Sequence, residues 1–251
     1  MSDARTIVIT GASSGLGAEM ARQFADLGYD LGLCARRTDR LDELRSEILA
    51  RHPERRVEVR ALDVTDDDAV FTVVHDLARA LGRIDRFIVN AGLGKGAQLG
   101  TGKHRANRQT AVTNFLGALA QTEAALEVFR TQGDGHLVMV SSMSAMRGLP
   151  GSTTTYAATK AGVAHLAEGV RADVYGSDIK VTVLYPGFIT SEMNDGTGGN
   201  PPMIVSTEKG VRAMVAAIEK EKASACVPPL PWAPMSVVLK HAPLGVLRKL
   251  V

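Results

Sequence analysis

The amino-acid sequence predicts one α/β domain, in which a parallel sheet of about seven strands carries helices on both faces. Three observations favour this fold class. Short runs of β-branched residues alternate with longer segments of helical periodicity, which is typical of βαβ units. The strand segments are apolar throughout, as expected for strands that are buried on both sides. No linker rich in Pro, Gly or Ser separates the units, so residues 1–251 are predicted to form a single domain.

Each element is predicted from a local pattern. Strands are expected where apolar and β-branched residues cluster, at Thr6–Thr10, Leu31–Ala35, Val57–Leu62, Arg86–Asn90, Leu137–Ser141, Lys180–Tyr185 and, as an edge strand, Ala223–Val227. Helices are expected from the first glycine turn to about Leu27, then over Asp39–Arg51, Asp66–Leu81, about Arg105–Arg130, about Thr155–Tyr175 and about Thr207–Lys220. Thr65 or Asp66 is the expected N-cap of the third helix.

The composition argues against several classes of function. Hydrophobic residues make up 45% and charged residues 22% of the 251 positions, which is within the globular range. A net charge of +2, with basic residues spread among acidic ones, argues against a nucleic-acid partner. The two cysteines lack metal-ligand spacing, and no metal site is predicted. No signal sequence and no apolar run of about 18 residues is found, so we expect a cytoplasmic protein without a transmembrane segment.

The first turn reads Thr-Gly-Ala-Ser-Ser-Gly-Leu-Gly over residues 10–17 and joins the first strand to the first helix. Glycines let the backbone approach a pyrophosphate, and the helix N-terminus offers unpaired N–H groups with a partial positive charge. Three residues separate the first two glycines, which differs from the G-x-G-x-x-G spacing. A structural tight turn is the alternative, but the position between strand and helix favours a dinucleotide site.

Two arginines, Arg36 and Arg37, follow the second strand, where such a fold meets the adenosine ribose of a dinucleotide. An acidic residue at this point would hydrogen-bond both ribose hydroxyls and indicate NAD. The acid is absent, and the two guanidinium groups are suited to a 2′-phosphate. This pattern favours NADP(H) over NAD(H), with ordinary surface arginines at a helix entry as the alternative.

The candidate catalytic residues follow the fifth strand. Ser141 and Ser142 end this strand, and Tyr156 and Lys160 lie four residues apart, on one face of the next helix. A phenol has a pKa of about 10 and is a poor acid–base group at neutral pH. A neighbouring ammonium group is expected to lower that pKa toward the working range. A serine hydroxyl at the end of the strand is placed to hold a substrate oxygen.

Together these residues make the sequence similar to the short-chain dehydrogenase/reductase family, which has a Rossmann-like fold. The family's marks are a T-G-x-x-x-G-x-G loop, an N-A-G segment, a helix asparagine, a serine and Y-x-x-x-K, and all occur in order within about residues 5–193. The resemblance implies that Tyr156 is the general acid/base and that Lys160 binds the nicotinamide ribose and lowers the pKa of Tyr156. It further implies that Ser142 orients the carbonyl group and that Asn114 supports a water relay to Lys160.

The same resemblance implies a set of cofactor-binding residues. Asp63 is assigned to the adenine and Asn90–Gly92 to the floor of the site. Pro186, Gly187 and Thr190 are assigned to the nicotinamide end. The complete predicted set is Gly11, Ser13, Ser14, Gly15, Leu16, Gly17, Arg36, Arg37, Asp63, Val64, Asn90, Ala91, Gly92, Tyr156, Lys160, Pro186, Gly187, Ile189 and Thr190.

Three positions depart from the family pattern. Val89 stands where the family often has a second asparagine. Ser142 lies fourteen residues before Tyr156, one more than usual, so Ser144 competes for the serine role, although the end of the strand favours Ser142. Position 14 of the glycine loop is a serine and not a basic residue, so one common support for NADP(H) binding is missing.

Two segments outside these motifs are interpreted from composition. The loop at about residues 190–205 is rich in Gly and Pro and is predicted to be a flexible substrate loop. The tail at about residues 228–251 begins with four prolines in seven residues, which are predicted to break regular structure. The tail is expected to cover a neighbouring subunit, close the substrate pocket or rest on a membrane surface, with subunit or pocket packing favoured.

The residues and the resemblance together predict an NADP(H)-dependent oxidoreductase that transfers hydride between the nicotinamide and a carbonyl or secondary alcohol. Two other functions are kept as alternatives: an NADP(H)-binding sensor or scaffold without turnover, and a lyase or epimerase on the same fold. The intact set of serine, tyrosine, lysine and asparagine argues against a sensor. The resemblance also implies a homodimer or homotetramer, with the Ala106–Arg130 and Tyr156–Tyr175 helices as interfaces.

Overall fold

The computed structural model describes residues 4–190 and 203–250, with side chains described up to residue 247. Within this part of the chain seven strands are present: β1 (Thr6–Thr10), β2 (Asp30–Ala35), β3 (Val57–Ala61), β4 (Arg86–Val89), β5 (Asp134–Val140), β6 (Asp178–Pro186) and β7 (Ser224–Val227). Every predicted strand is present, and its boundaries agree with the prediction to within a few residues.

Helices connect and cover the strands. They are α1 (Gly15–Asp26), α2 (Thr38–Arg51), α3 (Asp67–Leu81), α4 (His104–Ala111), α5 (Gly117–Gln132), α6 (Thr154–Asp173), α7 (Thr207–Glu219), α8 (Pro229–His241) and α9 (Leu244–Leu250). Two short 3-10 turns, Met143–Met146 and Gly151–Thr153, lie between β5 and α6. Asp66 is the N-cap of α3, because its carboxylate accepts a hydrogen bond from the Ala69 N–H at 3.0 Å.

The seven strands form one parallel sheet in the order β3-β2-β1-β4-β5-β6-β7. The chain therefore winds outward from β1 in one direction and, after returning to β4, in the other. This arrangement confirms the predicted doubly wound, Rossmann-like α/β class. It also places the carboxyl ends of β1 and β4 side by side at the centre of the sheet, where the direction of winding changes.

Alternation along each strand divides the core into two halves. In β1, Ile7 and Ile9 face a cluster that includes residues of α1, α2 and α7, whereas Val8 faces a cluster that includes residues of α3, α5 and α6. All three side chains have no exposed surface. Burial on both faces explains why the central strand β1 is apolar at these three positions, whereas the edge strand β3 is only partly buried and carries Glu58 and Arg60.

The predicted single helix over about Arg105–Arg130 is interrupted. A π-helical turn, Val112–Leu116, separates α4 from α5, and in it the Gly117 N–H donates to the Val112 carbonyl five residues back. No proline or glycine lies within the turn, so its own residues give no local signal of it. Such turns insert one extra residue into a helix and often occur at functional sites. Asn114 lies in this turn.

The prolines of the tail interrupt regular structure at Leu230, as predicted, but α8 continues through Pro231 and Pro234. Leu230 has an extended backbone, with φ of −105° and ψ of 134°, so the helical part of α8 begins after it. Pro231 is then the first residue of the helical part, where a helix does not use its backbone N–H group, and Pro234 lies inside the helix. The described residues contain no helix long and apolar enough to cross a membrane.

Residues 191–202 of the predicted substrate loop lie outside the described part of the chain. The two ends of the loop are joined. The Thr190 N–H donates to the Val205 carbonyl at 3.0 Å, and the Val205 N–H donates to the Phe188 carbonyl at 3.1 Å. The Thr207 hydroxyl at the start of α7 donates to the Thr190 carbonyl at 2.6 Å. These bonds fix the base of the loop beside the carboxyl end of β6.

Candidate active site

Thr10, the last residue of β1, ties together the two central segments at the change in winding direction. Its buried hydroxyl accepts hydrogen bonds from the N–H groups of Asn90 (3.1 Å) and Ala91 (3.2 Å). The Asn90 side-chain amide donates to the Thr10 carbonyl at 2.9 Å. The glycine turn and the segment after β4 therefore form one continuous floor. Thr10 was absent from the predicted cofactor-binding set, although it opens the glycine motif.

The glycine turn packs so closely that side chains are excluded from it. Gly11 has a positive φ of 65°, and a Cβ on Gly17 would lie 2.3 Å from the Gly11 carbonyl oxygen and 2.9 Å from the Asn90 side chain. The Ser14 side chain does not cap the start of α1. The first turn of α1 thus presents its amide groups at the switch point, in the form that binds a pyrophosphate.

Both predicted arginines lie at this end of the sheet. Arg37 donates from Nη2 to the Ser14 hydroxyl at 2.6 Å and from Nε to the Ser13 hydroxyl at 3.3 Å. Arg36 is 61% exposed, and its Nη1 lies 3.9 Å from the Asp63 carboxylate. The sequence lacks a basic residue at position 14, but Arg37 brings a guanidinium group to the same place. A patch of positive charge therefore borders the glycine turn.

Asn114 is buried by the π-helical turn and holds the segment after β4. Its Oδ1 accepts from the Leu93 N–H at 2.7 Å, and its Nδ2 donates to the Leu93 carbonyl at 2.9 Å. A weaker contact of 3.4 Å joins Nδ2 to the Thr159 hydroxyl on α6. Leu93 is a partner that sequence reasoning missed, because no motif marks the residue after the N-A-G segment.

Lys160 extends from α6 to the carboxyl end of β5. Its buried Nζ donates to the Val140 carbonyl at 2.9 Å, and the Ser141 hydroxyl donates to the Lys160 carbonyl at 2.7 Å. A Cβ on Gly92 would lie 3.4 Å from Nζ, so this lysine borders the same floor as Asn114. Burial lowers the pKa of Lys160 to about 8, because a charged amine is poorly solvated there.

Tyr156 is mostly buried and lies beside Lys160, whose Nζ is 5.9 Å from the centre of the phenol ring. Ser142 hydrogen-bonds to the Tyr156 hydroxyl, which lowers the phenol pKa, but burial has the larger, opposite effect. The net result is a raised pKa for Tyr156. The expectation that Lys160 lowers this pKa is therefore not met within the protein alone, since loss of solvation dominates and only the Ser142 hydrogen bond opposes it.

Hydrogen bonding to Ser142 lowers the pKa of Tyr156, and Ser144 has no such effect. Ser144 instead donates its backbone N–H to the Ser142 hydroxyl oxygen at 3.1 Å. Ser142 is the N-cap of the 3-10 turn Met143–Met146. The one-residue departure from the usual spacing is thus absorbed in the connection between β5 and α6.

The residues at the end of β6 are covered by the tail. Pro186 ends the strand, and the Gly187 N–H donates to the Val227 carbonyl at 3.0 Å. The indole of Trp232 lies directly on Gly187, where a Cβ would come within 2.0 Å of the ring. Its ring also meets Phe188 edge-on, with centroids 5.5 Å apart. Trp232 is a neighbour of the site that sequence reasoning did not include.

Four predicted cofactor-binding residues pack their side chains against the core: Ile189, which is 3% exposed, Ala91, Leu16 and Val64. Leu16 packs against the cluster that includes α1 and α2, and Val64 is 6% exposed in the cluster that includes α3 and α5. Each of the four residues has its backbone near the site, but its side chain serves packing. The remaining predicted residues lie along the carboxyl edge of the sheet, from Arg36 beyond β2 to Thr190 beyond β6.

Comparison with known proteins settles the family. A profile described as short chain dehydrogenase matches residues 5–200, which is most of the chain. The chain belongs to the short-chain dehydrogenase family. This confirms the resemblance that the motifs predicted and makes the protein an NAD(P)-dependent oxidoreductase.

Relatives in sequence and solved structures of short-chain dehydrogenases are similar to this chain over nearly its whole length. An uncharacterized oxidoreductase of Mycobacterium tuberculosis is 52% identical over 243 residues, covering 97% of this chain and 96% of the relative. A short-chain dehydrogenase from Sphingobium yanoikuyae in complex with NADPH is 27% identical, with a TM-score of 0.83 over 97% of this chain and 95% of the other. One from Burkholderia phymatum in complex with NAD is 20% identical, with a TM-score of 0.84 over 97% and 95%. The shared fold therefore accommodates either dinucleotide.

Proposed function

We propose that this short-chain dehydrogenase is an NADP(H)-dependent oxidoreductase acting on a carbonyl or secondary alcohol, with Tyr156 as general acid/base. One observation carries the proposal. The Tyr156 hydroxyl, the Ser142 hydroxyl and the Lys160 ammonium converge at the carboxyl end of β5, beside the floor formed by the glycine turn. An acid, a hydrogen-bonding group and a positive charge at one point are what the reduction of a carbonyl group requires.

The residues present fit a dinucleotide. Close packing of Gly17 on Gly11 leaves backbone, and no side chain, at the start of α1. We assign this turn to the pyrophosphate, Arg36 and Arg37 to the 2′-phosphate, and Lys160 to the nicotinamide ribose. The other predicted residues complete a path along the sheet edge, with Asp63 and Val64 at the adenine, Asn90–Gly92 on the floor, and Pro186, Gly187, Ile189 and Thr190 at the nicotinamide.

When bound, the nicotinamide supplies or accepts the hydride. In reduction, Tyr156 donates its proton to the substrate oxygen, and its raised pKa keeps the phenol protonated at neutral pH. Ser142 holds the same oxygen, so the substrate meets two hydroxyl groups. Lys160, with a pKa of about 8, is mainly charged at pH 7 and stabilises negative charge that develops on the phenol.

In alcohol oxidation Tyr156 must instead lose its proton, and burial opposes this step. The Lys160 ammonium then offsets the cost by stabilising the phenolate. Both ends of the Asn114 side-chain amide are hydrogen-bonded to Leu93. We therefore infer that the Asn114 side chain positions the floor beside Lys160, and that a proton relay to Lys160 uses the main chain of the π-helical turn.

The function is tested by following hydride transfer. A panel of ketones, aldehydes and alcohols is assayed with NADPH and NADH by absorbance of the reduced nicotinamide, and the active pair is repeated with NADPH deuterated at C4. We expect one deuterium on the former carbonyl carbon of the released alcohol. If instead a compound of the panel is converted without net oxidation of NADPH and its product carries no deuterium, the protein is a lyase or epimerase. Tight NADPH binding with no turnover across the panel would indicate a sensor.

The cofactor preference is expected to depend on the two arginines. Arg36→Ala and Arg37→Ala should each weaken NADPH binding by roughly 10- to 100-fold, because a charge-assisted hydrogen bond contributes about 1.5–3 kcal/mol. The affinity for NADH, which has no 2′-phosphate, should change less than about threefold. Dissociation constants for both cofactors measure the effect directly.

Arg45→Ala is the matched control, because Arg45 is an exposed arginine on α2 and its loss changes the net charge equally. It should leave both affinities unchanged. Equal losses of NADPH and NADH affinity in the Arg36 and Arg37 variants would contradict the assignment of these residues to a 2′-phosphate.

We also propose assembly as a homodimer or homotetramer through α5 and α6, in a cytoplasmic location. The outer faces of these helices line a groove with Leu119, Leu126 and Leu166 along its apolar part and Glu123, Glu127, Arg130 and Asp173 at its charged part. Apolar residues flanked by opposite charges suit a contact between two copies related by a twofold axis.

A further inference from the structure

We propose that α8 and α9 form a basic apolar surface, the tail surface, that binds an anionic lipid bilayer by lying on it. The tail surface is defined by the outward faces of residues 230–247. This property goes beyond the proposed oxidoreductase function and does not depend on it. It concerns the outside of the tail, whereas the inside of the tail covers Gly187.

Exposed apolar side chains are concentrated on this surface. Of the eleven large apolar side chains that are exposed among the described residues, five lie between residues 230 and 246: Leu230 (76%), Val237 (59%), Val238 (49%), Leu244 (66%) and Val246 (46%). Residues 234, 237, 238 and 241 of α8 share one helical face, and all four are exposed. Pro234, Val237 and Val238 therefore form a short apolar stripe along α8, with His241 at its end, and the other described residues leave it uncovered.

The tail is basic and carries no acidic residue. Glu221 is the last acid in the chain, although Asp and Glu together number 27 of the 251 residues. The thirty residues that follow contain Lys222, Lys240, Arg248 and Lys249. Lys240 is exposed one turn beyond Val237 on α8. Apolar side chains bordered by basic ones are the pattern of helices that lie at the interface of an anionic membrane.

The tail that carries this surface packs against the rest of the domain. Trp232 is 4% exposed, Ala242 8% and Leu247 1%, so one side of the tail packs inward. Arg147, in the connection between β5 and α6, donates to the Lys240 carbonyl at 2.9 Å. The inward side thus already closes the end of the site, and the exposed stripe is a second, separate face.

A second copy of the chain fits this face less well than a lipid surface does. In a twofold contact the same patch lies on both sides, so two tails without any acidic residue would face each other. Their lysines and arginines would repel across the contact. A bilayer with anionic headgroups offers opposite charge to the basic residues and an apolar layer to the valines and leucines.

The proposal is tested by co-sedimentation of the full chain with sucrose-loaded vesicles. Vesicles of phosphatidylcholine with one quarter phosphatidylglycerol are compared with phosphatidylcholine alone, at low and at high salt. We expect binding to the anionic vesicles to be at least about tenfold stronger, and to weaken at high salt as the charges are screened. Val237→Ser/Leu244→Ser and Lys240→Glu should each lower it by roughly tenfold.

Two variants control for the chemical changes. Leu27→Ser removes a leucine that is 53% exposed at the end of α1, and Lys180→Glu reverses an exposed charge on β6. Both should bind vesicles as the unmodified protein does. The proposal is overturned if the protein ignores anionic vesicles at low salt, or if the tail variants and the control variants bind equally. It is also overturned if light scattering shows that the tail variants reduce the oligomeric mass, since the surface would then be a subunit contact.

Discussion

Replacing Tyr156 with phenylalanine is expected to lower kcat by roughly 10²- to 10⁴-fold, the usual contribution of a positioned general acid. The change removes one oxygen atom from a side chain that is mostly buried beside Lys160. The ring is kept, so packing on α6 should be preserved. The Ser142 hydroxyl still accepts a hydrogen bond from the Ser144 N–H, so this group keeps a partner. The loss should therefore appear in the chemical step and not in folding.

Cofactor binding separates this result from simple damage to the site. The dissociation constant of NADPH should change by less than about threefold in Tyr156→Phe, because the glycine turn and the arginines are untouched. Tyr175→Phe is the matched control, since Tyr175 is 91% exposed just beyond the end of α6 and undergoes the same chemical change. A Tyr156→Phe protein with unimpaired kcat on its substrate would show that another group donates the proton.

Replacing Gly17 with alanine is expected to damage both the fold and the cofactor site. The added methyl group would lie 2.3 Å from the Gly11 carbonyl oxygen, and this oxygen belongs to the backbone of a tightly packed turn. Overpacking of this kind costs about 1–3 kcal/mol. For a chain of this size the melting temperature should fall by roughly 2–12 °C. Because the turn must shift, NADPH affinity should fall by at least about tenfold.

Gly169→Ala provides the comparison for Gly17. Gly169 also lies in a helix, α6, but it is exposed and has open space where a Cβ would be. The same substitution there should raise stability by about 0.5–1 kcal/mol, because alanine is the better helix former. Thermal denaturation and NADPH titration of the two variants measure both effects. If Gly17→Ala melted and bound NADPH like Gly169→Ala, the close packing of the turn would be disproved.

The sheet was predictable from sequence because its strands satisfy one strong requirement. A strand buried on both faces is mainly apolar, and the buried run Ile7–Ile9 between Thr6 and Thr10 shows this so clearly that the predicted and observed limits of β1 coincide. The start of β5 was placed three residues late, at Leu137 instead of Asp134. Its first residues include Asp134 and His136, which are polar and pair with β6 beyond the apolar run.

The relative positions of two site residues were predictable from sequence where both lie on one helix, because their spacing decides whether they share a face. Tyr156 and Lys160 share a face of α6 for this reason. The pKa of Tyr156 was not predictable, because it depends on how far the fold buries the phenol. The hydrogen bonds between Asn114 and Leu93 depend on the π-helical turn. No proline or glycine within this turn indicates it in the sequence. Helix α8 was missed because proline was interpreted only as a residue that breaks helices, whereas Pro231 occupies the first position of the helical part.

The contact between Trp232 and Gly187 has a practical consequence. Trp232 is the only tryptophan in the sequence, and its indole lies at the end of the cleft assigned to the nicotinamide. Indole emits light in the band that a reduced nicotinamide absorbs, so a dinucleotide in that cleft would quench the emission by energy transfer. The protein therefore carries its own fluorescent reporter, and Trp232→Phe supplies the dark reference. Occupancy can be titrated in this way before any substrate has been found.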